Sequence, residues 1–233
     1  MTKDDLIVLH EDNHIIVVYK PQNVPCCEDS SSDPDLLTVI KEHVREKEGK
    51  TGNVYIGLVH RLDRVTGGVM VYAKSSKAAS RLSEQMRSGD FEKKYYTVLV
   101  GCPKQKRAVL QNYMKKNPIN NVVYVCPATV DGAKFAELEY QIIEEKSDLS
   151  LASVTLHTGR THQIRVQMSS IGTPVYGDMR YGGENAKKGN IALWASTLAF
   201  THPVSKERLV FKIEPPKDKT PWKLFDIDEA MRI

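Results

Sequence analysis

The sequence predicts an α+β fold around a mixed, mostly antiparallel central sheet with flanking helices and loops. Three observations carry that expectation. Between residues 94 and 156, five stretches of strand length follow one another with turn residues between them. The helical crossovers that a parallel, doubly wound sheet requires do not recur between them. The chain has 233 residues, 41% of them hydrophobic, which suits one large domain or two modest lobes with a core that needs neither metal nor disulfide.

Residues 6–10 and 15–20 read as two strands of a hairpin, joined at Glu11, Asp12 and Asn13. Pro21 and Pro25 end that pattern, and the acidic stretch 28–35 reads as a loop. Leu36, Leu37, Ile40 and Val44 recur at helical spacing, and Gly49 is placed to end the helix. Residues 54–59 and 69–73 read as strands on either side of a charged loop. Residues 76–87 read as a helix capped by Ser75 or Ser76 and closed by Gly89. Strands are expected at 94–100, 109–114, 122–125, 135–143 and 149–156, followed by a loop and a short helix that ends near Gly172. A glycine-rich loop over 177–189 leads to strands at 192–201 and 209–213. Thr220-Pro221 is expected to open a final helix, with proline in its first turn.

The net charge of +4 conceals an asymmetry. Residues 1–59 hold 6 Lys+Arg against 11 Asp+Glu, residues 60–125 hold 13 against 4, and residues 126–233 hold 14 against 14. A basic middle segment points to one positive face, and polyphosphate partners bind such faces by displacing condensed counterions. The acidic first quarter is expected to lie away from that face. No apolar run approaches the roughly 20 residues of a membrane span, and MTKDDL lacks the profile of a signal peptide, so no membrane association and a cytoplasmic location are expected. Cys26, Cys27, Cys102 and Cys126 form no Cys-x-x-Cys pair and read as idle thiols.

HEDNH over 10–14 matches the H-E-x-x-H zinc-protease pattern, but that motif requires a helix to bring both imidazoles to one ion. Here it spans a turn between strands. No phosphate-binding glycine loop and no G-x-S-x-G elbow is present. The segment HRLDRVTGG (60–68) is a loop held between two strands, a place where scaffolds present reactive groups. Asp63 stands between Arg61 and Arg64, whose charge favours an ionised carboxylate that can act as nucleophile or base; a structural salt bridge is the competing reading. GRTHQIR (159–165) gathers Arg160, His162, Gln163 and Arg165 at a helix start, a set suited to an anion or a carboxylate. Arg165 falls among Ile164, Val166 and Met168, where its charge needs a partner.

HRLDR followed by Thr-Gly-Gly, then GRTHQIR, then GDMRYG (177–182), resembles a pseudouridine synthase of the RluA type. KKYYTVLVG (93–101) is similar to that family's K-x-Y-x-A-x-V-x-G strand. Leu193-Trp194-Ala195 with Leu198, Phe200, His202 and Pro203 is similar to its L-x-A…L-x-F-x-H-P strand. The resemblance runs from about residue 6 to residue 213, in the family's order. The family often has Ser at Gly68, Ala at Thr97 and His at Gln167, departures that bear on positioning and remove no reacting group. Many relatives carry an S4-type RNA-binding domain ahead of the catalytic one; here the first catalytic strand is expected near Leu6, and a single catalytic domain over residues 1–233 is expected.

The resemblance implies a pseudouridine synthase-like fold with its active-site cleft across the sheet. It implies isomerisation of specific uridines in structured RNA, ribosomal or transfer, to pseudouridine. In that scheme Asp63 is the catalytic carboxylate, Arg165 orients it, and Tyr95 stacks on the extruded base. Arg61 fills the gap that the base leaves, and His60, Arg64, Arg160, His162 and Gln163 bind RNA or substrate. Base extrusion costs a few kcal/mol, least in loops. Nothing is oxidised and no group arrives from outside, so no cofactor, no metal and no obligatory protein partner is expected, and the chain is expected to act as a monomer. Two other readings stand beside it: an RNA-binding module of the same fold without catalysis, and a glycosidase. The second needs two carboxylates flanking the bond, whereas the two charged motifs supply one.

Overall fold

A computed structural model describes residues 1–31 and 33–232. The expected loop at 28–35 includes position 32, which lies outside the described residues. In chain order the elements are β1 (Val8–Glu11), β2 (Ile15–Lys20), α1 (Leu36–Lys47), β3 (Gly57–Leu58), β4 (Gly67–Ala73), α2 (Ser76–Ser88) and β5 (Glu92–Val100). They continue with β6 (Arg107–Lys116), β7 (Val123–Cys126), β8 (Lys134–Lys146), β9 (Leu149–Leu156), α3 (Gln163–Ser170), β10 (Leu193–Thr201), β11 (Arg208–Lys212) and α4 (Ile227–Ala230). This is the expected α+β architecture, rich in strands with few helices. Every pairing whose register is defined is antiparallel.

The chain divides into two compact units, residues 1–92 with 195–213 and residues 93–194 with 214–233. In the first, strands run in the order β1-β2-β4-β10, with β11 on β10. The hairpin of β1 and β2 turns where Asp12 Oδ1 accepts the N–H groups of His14 (2.6 Å) and Ile15 (2.9 Å). HEDNH therefore lies on a strand and its turn, and among the described residues no three His, Cys, Asp or Glu side chains are placed to hold a metal. Asp35 caps α1 by accepting the Thr38 N–H, and Leu36, Val39, Ile40 and Val44 form its buried stripe. Ser75 caps α2, and Gly89 closes it in the left-handed region at φ +86°. The core of this unit gathers Ile15, Val17, Val69, Val71, Leu82 and Phe91 with Leu198 and Phe200, and Phe91 stacks on Phe200 at 5.4 Å between centroids. Gln85 fixes α2 to the end of β10 by bonding both the N–H (2.8 Å) and the carbonyl (2.7 Å) of Thr201.

The strand expected over 54–59 shortens to two residues, pairing Gly57 with Ala73 and Leu58 with Tyr72. One edge of β4 is taken by β2, and β10 claims the other along with β3, so β3 has only the end of that edge.

In the second unit the order is β5-β9-β8-β6-β7, with a register irregularity between Ile142 and Glu144 in β8. Met114, Val123, Ala136 and Val166 form one core cluster, with Tyr181 packed on it. Tyr96 donates its phenolic hydrogen to the Ala230 carbonyl at 2.7 Å, tying down the C-terminal segment. The final helix expected from Thr220-Pro221 is replaced by a 3-10 turn at Trp222–Leu224 and the four-residue α4, which Asp226 caps. The residues buried there, Trp222, Phe225, Ile227 and Ala230, do not follow a single helical stripe. Among the described residues no helix is long and apolar enough to cross a membrane.

Candidate active site

The loop between β3 and β4 carries His60, Arg61, Asp63 and Arg64, all in the first unit. Its backbone is pinned carbonyl by carbonyl, chiefly by the end of β2 and the segment that follows it. Cys26 Sγ donates to the Leu62 carbonyl (3.1 Å), and Thr66 N–H closes the turn on the Asp63 carbonyl (2.9 Å). The Arg64 carbonyl accepts from Asn23 N–H (2.8 Å) and Lys20 Nζ (3.0 Å), Val65 from Gln22 Nε2 (3.0 Å), and Thr66 from Lys20 Nζ (2.7 Å). Five consecutive carbonyls thus have donors, and the half-buried Asp63 is presented on a turn with little freedom.

The residues around Asp63 divide by exposure. Arg61 is exposed. His60 accepts the Val71 N–H at Nε2 (3.1 Å), which places its ring hydrogen on Nδ1, and its ring leans on Phe91. Arg64 turns to the acidic loop: it bonds Ser31 Oγ (2.7 Å) and Asp33, and its Nη1 lies 3.6 Å from Asp29. The expectation that the acidic first quarter lies away from the basic segment does not hold, because Asp29 and Asp33 are drawn to this arginine.

In the second unit, Tyr95 is buried on β5 opposite Val154. Arg160, His162, Gln163 and Arg165 gather where the chain enters α3. Arg160 is exposed and donates through Nε to the Phe135 carbonyl (2.7 Å). His162 adopts φ +53°, and its Nδ1 lies 2.7 Å from the Tyr181 hydroxyl, which also accepts the Val123 N–H. Gln163 is buried: its Oε1 accepts from Thr158 Oγ1 (2.7 Å) and Arg160 N–H (3.0 Å), and its Nε2 donates to the Glu137 carbonyl (3.0 Å). It staples the Thr158–Arg160 loop to β8. Burial pushes the Lys93 ammonium below its ordinary pKa, and the charge of Arg160 adds to that.

Arg165 has the partner that its apolar neighbours require. Its Nε and Nη2 reach the two oxygens of Asp178, from the GDMRYG segment, and its guanidinium lies 5.1 Å from the centroid of the Tyr181 ring. Asp178 Oδ1 also accepts the N–H groups of Arg180 (3.1 Å) and Tyr181 (3.2 Å). Lys20, Asp178 and Tyr181 were not among the residues singled out for the site. GDMRYG supplied a signal for two of them, and the lysine that ends an apolar strand before Pro21 was the signal for the third.

The three departures from the family pattern have local reasons. Gly68 sits at φ +133°, and a Cβ there would lie 2.2 Å from the Ala195 carbonyl oxygen, so serine cannot enter. Thr97 donates its hydroxyl to the Ala192 carbonyl (2.8 Å). Gln167, fully buried, donates to the Leu110 carbonyl (3.1 Å) and to Asn112 Oδ1 (2.7 Å).

The pattern of the RNA pseudouridylate synthase family matches residues 14–170, more than half of the chain. The chain belongs to that family, in its RluA-type branch, and is an isomerase acting on RNA. It is 33% identical over 216 residues to an uncharacterized RNA pseudouridine synthase, YjbO, of Bacillus subtilis, a match covering 91% of this chain and 74% of that one. It is 31% identical over 226 residues to ribosomal large subunit pseudouridine synthase D of Zymomonas mobilis, covering 91% and 70%. Its fold is that of human RNA pseudouridylate synthase domain containing 4, with a TM-score of 0.76 at 22% identity, covering 91% of this chain and 89% of that one.

Proposed function

We propose that this protein converts specific uridines in structured RNA to pseudouridine, with Asp63 as the catalytic carboxylate. The observation that carries the assignment is the Asp63 turn, five of whose consecutive carbonyls are hydrogen-bonded, so that one half-buried carboxylate is held ready in the family's motif. Preorganisation of this kind places a reacting group without the cost of ordering it at each turnover. The base is detached from C1′, turned and rejoined through C5. Arg165, fixed by Asp178, provides the positive charge that orients the carboxylate, and Tyr95 stacks on the extruded base. Exposed Arg61 takes the place of that base in the RNA. His60, Arg64, Arg160 and His162 contribute contacts to the RNA, and Gln163 supports them by holding its loop.

Ribosomal RNA is the favoured substrate over transfer RNA, supported by the relative named for the large ribosomal subunit. We place the reaction in a single catalytic domain over residues 1–233, acting as a monomer in the cytoplasm, where such RNA is made.

Tritium release from RNA labelled at uridine C5 tests the assignment, because isomerisation must expel that hydrogen. Release is expected with total RNA from cells that lack the protein. Asp63→Asn is expected to abolish release while RNA binding persists. Binding without release by the unaltered protein points instead to a non-catalytic RNA-binding module, and free uracil points to a glycosidase.

A further inference from the structure

Four Tyr, Phe or Trp side chains are exposed among the described residues, and three of them lie together on the sheet of the second unit. Tyr113 on β6 stands opposite Phe135 on β8, their rings in edge contact at 5.6 Å between centroids. On β7, Tyr124 stands opposite Lys115, which is two residues on from Tyr113. Partners in register point to one side of a sheet, as do residues two apart, so the three rings and Lys115 share a face. Met114, Val123 and Ala136 point the other way, where Val166 of α3 packs on them. The same alternation carried across β8, β9 and β5 puts Tyr95 on the α3 side. Tyr95 stands opposite Val154, Val154 opposite Tyr140, and Tyr140 is four residues on from Ala136. The aromatic face is therefore the reverse of the one that holds Tyr95, and lies outside the site already described.

The charge beside these rings is of one sign. Residues 93–130 contain seven Lys and Arg and no Asp or Glu. Lys106 and Arg107 are answered by Glu145 and Glu139. Lys115, Lys116 and Lys134 have no carboxylate within ion-pair distance among the described residues. Lys115 and Lys116 stand opposite Tyr124 and Val123 at the open edge of the sheet, and Lys134 adjoins Phe135. Glu137, which faces the same way as Phe135, is engaged by Gln111 Nε2 at 2.6 Å. The Phe135 carbonyl anchors the exposed Arg160 at 2.7 Å, so a further cation borders the patch. A protein partner with an apolar face would bury these ammonium groups without a counter-charge, at high cost. A single-stranded polyanion supplies that charge, and its unpaired bases stack on exposed rings. We propose that Tyr113, Tyr124 and Phe135, with Lys115, Lys116 and Lys134, form a second RNA-binding surface. It is a stacking platform for unpaired nucleotides of the substrate RNA, on the sheet face opposite Tyr95. The proposal rests on the chain's action on RNA and not on the assignment of Asp63.

The experiment titrates a fluorescent oligouridylate of about twelve nucleotides with the full protein and reads anisotropy across a salt series. No turnover is involved, so the result does not depend on which residue is the catalytic carboxylate. Replacing Tyr113, Tyr124 and Phe135 together with threonine, which suits a strand, is expected to weaken binding about tenfold or more. Tyr124→Phe keeps an aromatic plane and should bind as the unaltered protein does. Tyr124→Leu keeps apolar area without the plane and should bind about fivefold or more weakly. Lys115→Gln with Lys116→Gln and Lys134→Gln should lower the salt slope by about two, at about 0.7 per phosphate on a single strand. If the threonine variant fails to melt cooperatively, the two Tyr124 variants and the lysine variant decide. Equal affinity of the threonine variant and the unaltered protein, equal affinity of Tyr124→Leu and Tyr124→Phe, or an unchanged salt slope overturns the proposal. Normal oligouridylate binding with an altered sedimentation rate in the threonine variant also overturns it, and assigns the face to a second copy of this chain.

Discussion

Arg165 and Asp178 face each other through two hydrogen bonds, Nε to Oδ2 at 2.7 Å and Nη2 to Oδ1 at 2.9 Å, with both side chains buried. Breaking one half of such a pair strands the other charge. Asp178→Ala is expected to cost about 3–5 kcal/mol in urea unfolding. Asp148→Ala removes the exposed partner of Lys187 and is expected to cost less than about 1 kcal/mol. Similar losses in the two variants would show that the Arg165 pair carries no special burden.

At Gly68 the backbone passes against Ala195 in a conformation that L-residues avoid. Gly68→Ala should destabilise the protein by roughly 3 kcal/mol, through backbone strain and overlap together. Thermal unfolding measures it. Gly132→Ala, where φ is +72° but the space is open, should cost less and serves as the comparison.

Glu11 predicts an acid limb of stability. Burial alone would raise its pKa, but hydrogen bonds from Lys47, Lys74 and His43 outweigh that and hold it at about 2. A carboxylate depressed in the folded state stabilises above its unfolded pKa, and the benefit is lost as pH falls toward the folded value. The stability gap between the unaltered protein and Glu11→Gln should thus be full above pH 4.5 and close as pH approaches about 2. Urea midpoints across that range measure it, and a gap independent of pH would contradict the assignment.

Arg64, proposed to contact RNA, is paired with Asp33 and Asp29, which compete with a phosphate for its charge. Replacing both aspartates with alanine should tighten RNA binding and steepen its salt dependence by about one counterion, as expected for one added phosphate contact. Affinities across a salt series measure both. An unchanged slope would mean that Arg64 does not reach a phosphate.

Strand order along the chain, both principal helices and the caps of the second were legible because they depend on local alternation and on residues three or four apart. Arg165 was legible as a charge that needed a partner, since its neighbours are apolar. The identity of Asp178, thirteen residues on, came only with the fold. Lys20 was not legible as a site residue: its acceptors are backbone carbonyls, and carbonyls leave no mark in a sequence. The length of β3 was misjudged for a related reason, because competition for one edge of β4 is settled by strands distant in the chain. Gly68 looked like a simple departure from the family until the carbonyl of Ala195 was placed beside it.

Neither compact unit is a continuous stretch of chain. The first closes only when residues 195–213 return to residues 1–92, bringing Leu198 and Phe200 to a core that otherwise lacks them. On the ribosome, then, the amino-terminal strands and the Asp63 loop emerge early and must wait for more than a hundred further residues before their hydrophobic interior can be completed. The order of synthesis defers the assembly of the candidate catalytic turn's supporting core until residues 195–213 have been made.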